Sequence, residues 1–425
     1  MKRHQIITAA FLGSAIALGG LTVGAGTAHA ADRAGKESAK KEAAGPTVRA
    51  EIGNPLKAAQ ELVKAKKYKE ALAKVREADG VADKTPYETF VMEETRGFIL
   101  MKTGDQGGAA KAFEAVIGTG QLSEEDRLKR VQAVAQLYYQ AKDYARSASW
   151  TQRFLKEAGP NEDMRTLLIQ ALYLSGDFAT AGKELTALVA AKEKAGQPID
   201  EQSLQFLANI AVKQKDEAGY VAAVEKLVRY HPKAEYWQDL ILRMQKKPGF
   251  NRDRLSLDVY RLMLAAGVLT RGEDYVEMAQ LALGDNIPGE AKAILNKGFA
   301  AGLLGTGADA ERHKRLLAMA EKQAADDQKT LAASEKEVDA AASGGPAVRL
   351  GDAYAGHGQY QKAAVWFEKG LKKGGLKQPE DARLHLGIAY LKAGDAARAK
   401  QTLGAVKGGD GQADLARLWQ LVKAG

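Results

Sequence analysis

The stretch LGDAYAGHGQYQKAAVWFEKG, Leu350 to Gly370, sets Asp352 and His357 among closely spaced glycines. An imidazole and a carboxylate can move protons, and glycine lets a backbone approach a substrate closely. Such chemistry needs a partner base or nucleophile within reach, and none recurs nearby. Ser38 and Lys41 match S-x-x-K, the spacing of a nucleophile with its base, but sit in low-complexity sequence without companion motifs. After the first thirty residues the histidines are His231, His313, His357 and His385, none at metal-ligand spacing. There is no H-E-x-x-H, no G-x-x-x-x-G-K-[ST] and no G-x-S-x-G. The Gly-rich run GLLGTG, 302–307, follows helical sequence and no strand, so it reads as a loop and not a phosphate cradle. No cysteine is present, which removes disulfides, thiolate metal sites and a cysteine nucleophile. These residues predict no enzyme, no cofactor and no metal.

The elements around them are helical. Ala and Leu abound in the 425 residues, only 7% are aromatic, and Val or Ile runs of strand length are nearly absent. The first thirty residues are a basic MKRH, an uncharged apolar stretch and a small-residue exit, Ala28-His29-Ala30, the pattern of a cleaved export signal. The mature chain is expected to start at Ala31 with no stable membrane span. Loss of Lys2 and Arg3 takes the net charge from +9 to +7. An uncleaved anchor is the alternative, since about twenty apolar residues can span a bilayer. Residues 31–53 are Ala, Lys, Glu and Gly with almost no large apolar side chain, a flexible leader.

Internal repetition organises the rest. LGDAYAGHGQYQKAAVWF aligns with LGIAYLKAGDAARAKQTL, Leu386 to Leu403, with Leu-Gly, Tyr, Gly, Ala and a large apolar residue in register and 36 residues between Gly351 and Gly387. Matching turns fall at Lys66, Gly104, Lys142, Gly176, Lys215, Asn286, Gly358 and Gly394. Two intervals of about double length predict degenerate units near 234–268 and 306–344. Thr85-Pro86-Tyr87-Glu88 reads as a capping box, Ser123-Glu124-Glu125-Asp126 as an acidic helix start, and Pro379 as a first helical position. The pattern resembles the tetratricopeptide repeat, a helix-turn-helix unit of about 34 residues. The resemblance implies an all-α solenoid of eight visible and about ten total units. It divides into an N-terminal array over 54–305, a helical spacer or degenerate repeat over 306–344, and a C-terminal pair with capping helix over 345–425. In such a unit Gly351 admits a neighbouring helix, Tyr354 and Phe367 fill the gap between pairs, Ala363 sits at the crossing, and Gly358 ends the first helix. His357 then falls beside an exposed turn and Asp352 on the face away from the packing seam. An open array also predicts that removing 345–425 uncovers one seam only. Trp150, Trp237, Trp366 and Trp419 lie on helical patterns and read as core or seam residues.

What remains to carry function is surface. The resemblance implies that first helices line a groove, with Phe98, Gln136, Gln170, Asn209, Gln280, Asp352 and Ile388 at one facing position. Met101, Tyr139, Tyr173, Val212, Leu283, Ala355 and Leu391 lie three residues on. From these rows the candidate ligand residues are Gln136, Tyr139, Gln170, Tyr173, Asn209 and Gln280, with Lys213 close to Asn209. Amides beside tyrosines suit an extended peptide backbone or a glycan. A clamp for a C-terminal carboxylate is not expected, since the unit before Asn209 and Lys213 supplies no base. The functional expectation is a non-enzymatic scaffold in the bacterial envelope, periplasmic or secreted, binding a protein or peptide and no nucleic acid. The rival is a module for anionic envelope polymer, either polysaccharide or lipid head groups, motivated by the +7 charge.

Overall fold

The computed structural model describes residues 47–423. The export signal, the S-x-x-K match and most of the leader lie outside those residues. Ala50 to Gly53, expected to close the leader, are already helical, because Ile52 is fully buried and Arg49 pairs with the buried Glu88. The Arg49 guanidinium holds the Glu88 carboxyl down at about 2. Among the described residues there are twenty helices and no strand, an all-α helical-repeat solenoid. No described helix is long and apolar enough to cross a membrane. The chain divides into two compact units between Glu184 and Leu185, inside one helix.

The first unit runs through α1 (Ala50–Lys64), α2 (Tyr68–Asp79), α3 (Pro86–Thr103), α4 (Gln106–Gly118), α5 (Glu124–Gln140), α6 (Tyr144–Ala158) and α7 (Glu162–Ser175) into α8 (Phe178–Lys194). The second continues with α9 (Glu201–Gln214), α10 (Glu217–Tyr230), α11 (Ala234–Lys246), α12 (Arg252–Ala265), α13 (Gly272–Gly284) and α14 (Pro288–Ala300). It ends with α15 (Ala310–Ala340), α16 (Gly345–Gly356), α17 (Tyr360–Lys373), α18 (Pro379–Lys392), α19 (Ala396–Gly404) and α20 (Gln412–Trp419).

All eight turn residues read from the sequence have left-handed backbone, with φ from 57° at Lys215 and Asn286 to 89° at Gly176. The following residue donates its N–H to the carbonyl five positions back, as Asp105 does to Leu100 at 3.0 Å and Asp395 to Tyr390 at 2.9 Å, which closes the helix end. In five turns that residue is an Asp that caps the next helix. Asp105, Asp143, Asp177, Asp216 and Asp395 each accept from the N–H three residues on. One αL residue and one Asp thus make the whole connection. Thr85 and Glu88 form the expected capping box, and Ser123 caps α5.

Packing between paired helices repeats as well. A Cβ added at Gly97 would meet the Phe113 ring at 2.4 Å, at Gly351 the Phe367 ring at 2.8 Å, and at Gly387 the Leu403 side chain at 2.6 Å. Each glycine faces a large apolar residue sixteen positions later. Phe367 and Tyr354 are both 1% exposed, so each contributes about 1.5–3 kcal/mol of burial. The four tryptophans pack as expected, with Trp150 against the α4–α6 core and Trp237, Trp366 and Trp419 buried.

The second unit departs from an open array. The degenerate stretch near 234–268 forms two helices, α11 and α12, and 306–344 carries a single helix, α15, 31 residues long. Its charge suits its position, since only Ala320, Ala324 and Leu331 are buried. It is tied to its neighbours by Tyr354 to Glu335 and by His357 to Asp327 at 2.8 Å. His357 adjoins the exposed turn at Gly358, as the repeat pattern implied, but its ring is covered. Its side chain is 8% exposed because α15 covers it.

The chain end also folds back within this unit. α20 packs on both α18 and α12, and α16 packs on α14. Arg254 on α12 pairs with Asp381 and Asp410, Lys247 with Asp414 at 2.6 Å, and Arg417 with Glu225 at 2.9 Å. The Asn251 N–H donates to the Asp410 carbonyl at 2.8 Å. The inner helices α12, α14, α16, α18 and α20 therefore close into a circuit. Removing residues 345–425 would uncover several faces at once, and the one-seam expectation is corrected.

Candidate functional site

In the first unit, α5 and α7 carry four of the expected ligand residues. Gln136 and Tyr139 are half-buried on α5, and Gln170 and Tyr173 lie exposed and half-buried on α7. The Tyr139 hydroxyl donates to Gln170 Oε1 at 3.3 Å, so the two helices present one joined polar surface. Each tyrosine is braced by the first residue of the next helix. Tyr139 meets Tyr144 edge-on at 5.4 Å, and Tyr173 meets Phe178 at 5.2 Å. Rings fixed this way lose little rotamer entropy when a partner covers them.

The other three candidates belong to the second unit. Asn209 on α9 lines a recess of about 350 Å³ with Gln205, Tyr220, Tyr236 and Asp239. Lys213, one turn on, and Gln280 on α13 are exposed and line neither this recess nor the cavity described next. Gln205 and Tyr236 were not among the candidates. Gln205 donates to the Tyr236 hydroxyl at 2.8 Å, and Tyr236 in turn bonds Glu201, whose carboxylate also holds Lys233 at 2.6 Å. Tyr236 starts the degenerate α11, where the repeat pattern offers no register from which to read its direction.

A second hollow, about 290 Å³, lies inside the closed circuit of the same unit. Its base is a network of five charged side chains from four helices. Arg261 on α12 donates to Glu290 on α14 at 2.9 and 2.6 Å and to Asp258 at 2.8 Å. His385 on α18 sets Nε2 3.0 Å from Asp258 and Nδ1 2.8 Å from Asp352 on α16. With a carboxylate at each ring nitrogen, the imidazole is an imidazolium donating twice. Burial works against that charge, but Asp258 and Asp352 outweigh it and raise His385 to about 10. Burial likewise opposes the Asp258 anion, and His385 and Arg261 overcome it, holding the carboxyl well below the usual range. Burial also opposes Arg261, and Glu290 and Asp258 raise it further. A ring charged up to about 10 has no lone pair to offer at neutral pH, so the network is chemically saturated and acts as a positional clasp.

Asp352 accordingly does not face away from the packing. It is half-buried and receives His385, while Ala355 and Ile388 from the expected facing rows line the same hollow. Arg261, Glu290 and His385 escaped the sequence reading. Their one available signal is that His385 lies a helical turn before Ile388 on the same face. The partner Asp258 is 127 residues away in the chain. Of the remaining histidines, His231 Nε2 lies 2.8 Å from the Ile199 carbonyl, and His313 accepts from the Gly305 N–H. Among the described residues no group of three His, Asp or Glu side chains is placed to hold a metal ion.

No protein-family model matches the chain, and no curated protein does. Solved structures similar to it include one of Naa15/Naa10 bound to HypK-THB, at 16% identity and a TM-score of 0.32, over 84% of this chain and 57% of that one. Another is the APC/C hetero-tetramer Cut9-Hcn1, at 13% identity and a TM-score of 0.23, over 78% of this chain and 66% of that one. The chain thus spans less than two thirds of the length of either. At scores this low, neither structure says anything of what this chain binds.

Proposed function

We propose that this protein is an exported, non-enzymatic interaction scaffold of a bacterial envelope that holds an extended segment of a partner protein against α5 and α7. The observation that carries this reading is the joined surface of Gln136, Tyr139, Gln170 and Tyr173, in which the exposed Tyr139 to Gln170 hydrogen bond links adjacent repeats. Amide side chains both donate and accept, so they can substitute for a strand edge along a peptide backbone. Braced tyrosines supply large amphipathic area, and residues of this type carry a disproportionate share of binding energy. The recess around Asn209, Gln205 and Tyr236 repeats that chemistry within the second unit. Asn209, Lys213 and Gln280 remain candidate ligand residues there.

The test is the quadruple alanine variant at Gln136, Tyr139, Gln170 and Tyr173 against a matched variant at the exposed Lys111 and Lys183. Capture of the cross-linked partner should fall with the first and not with the second, with helicity preserved in both. Equal loss from both sets, abolished by salt, would assign binding to diffuse charge and favour an anionic polymer.

A further inference from the structure

We propose that the hollow inside the second unit is a binding site for a compact organic monoanion, a carboxylate on an apolar body, gripped between Lys297 and Lys392. Lys297 lines it from α14 and Lys392 from α18. Neither ammonium has a carboxylate within 4 Å, unlike Arg261 and His385 below them, whose charges are already matched. Lys392 lies over the Trp419 ring at 5.9 Å. Two cations without counterions on one small cavity repel each other, and burial together with Lys297 holds the Lys392 ammonium below the usual lysine range. An anion placed between them relieves both effects.

Charge and size limit what that anion can be. The lining contributes Arg261, His385, Lys297 and Lys392 as cations against Glu290 and Asp352, with Asp258 directly behind. One positive charge is left over, which a monoanion neutralises and a dianion overshoots beside two fixed carboxylates. At about 290 Å³ the space is at the small end of ligand pockets, too small for a folded segment. Leu264, Ile294, Ile388 and Trp419 give the body an apolar wall. The Trp419 indole N–H is itself buried without an acceptor.

The site is independent of the α5 and α7 surface and stands or falls separately. The test uses the full mature chain, with benzoate and hexanoate as probes, their amides as neutral counterparts, and inorganic phosphate as an anion lacking an apolar body. Calorimetry, with tryptophan fluorescence as a second readout, should give carboxylate dissociation constants of about 1 mM or tighter and binding at least tenfold weaker for the amides. Lys297→Met and Lys392→Met should each weaken the carboxylates by about tenfold, and Lys322→Met on α15 should not. Circular dichroism checks that each variant is folded, and neither lysine belongs to the buried core, so the substitutions leave it intact. Amides binding as well as acids, phosphate binding as well as benzoate, unchanged affinity in both lysine variants, or no carboxylate binding would each overturn the proposal.

Discussion

Replacing His385 with Leu should destabilise the second unit by about 3–5 kcal/mol at neutral pH, the cost of removing one partner from a buried ion network. The direction agrees with the clasp geometry, since Asp258 and Asp352 raise the imidazole from its ordinary 6.5 to about 10 and so favour the charged ring. His385 gains its charge on folding, so its contribution is fully present below pH ~6.5 and is lost as the pH rises towards about 10. Asp258, held low, contributes above its unfolded value near pH ~4 and loses that contribution as acid titrates it. Between pH ~4 and pH ~6.5 the wild type should have a flat stability plateau, and above it stability should fall as His385 loses its contribution. The variant should behave differently, because Asp352 and Asp258 are left with Arg261 alone, and protonation of Asp258 in acid relieves the repulsion between them. The gap between the two proteins should therefore narrow on either side of the plateau. Urea unfolding at a series of pH values measures it, with hydrogen exchange assigning the change to α12, α16 and α18. A variant within about 0.5 kcal/mol of wild type at pH 7, with a parallel pH profile, would refute the reasoning.

Three further outcomes are expected. Gly351→Leu should cost at least about 1–3 kcal/mol by overpacking against Phe367, measured by thermal melting, whereas Gly104→Ala at a solvent-exposed turn should act only through its left-handed backbone. Deleting 411–425 removes α20 and uncovers Phe250 and Leu255, so the second unit should lose cooperative unfolding by calorimetry; a sharp transition of unchanged midpoint would contradict closure. Mass spectrometry of the mature protein should find Ala31 at its N-terminus, and an intact Met1 in membranes would make the first segment an anchor.

The repeat turns were legible because a left-handed residue followed by a capping Asp is a local requirement, written in two adjacent letters wherever it occurs. Gly351 and Gly387 were legible for a related reason, since each marks a helix approach whose partner lies sixteen residues on. The circuit in the second unit was not. Arg254 with Asp381, and His385 with Asp258, each join residues 127 positions apart, and singly they read as ordinary helix-surface charges. The long, mostly solvated helix α15 was legible from its charge, but its contact with His357, 30 positions from Asp327, was not. For the candidate ligand residues, the repeat register set Tyr139 near Gln170, which share a hydrogen bond. It could not see that Asn209, Lys213 and Gln280 fall in a separate compact unit, nor that Gln205 and Tyr236 share the recess with Asn209.

Binding through the α5 and α7 surface is tested most directly by a photo-crosslinking amino acid placed at Gln136 in intact cells, beside the same probe at Lys111 on α4. The account predicts a discrete adduct from position 136 that persists in high salt and disappears when Tyr139 and Tyr173 are both alanine. Equal adducts from both positions, or an adduct at 136 indifferent to the tyrosines, would contradict it.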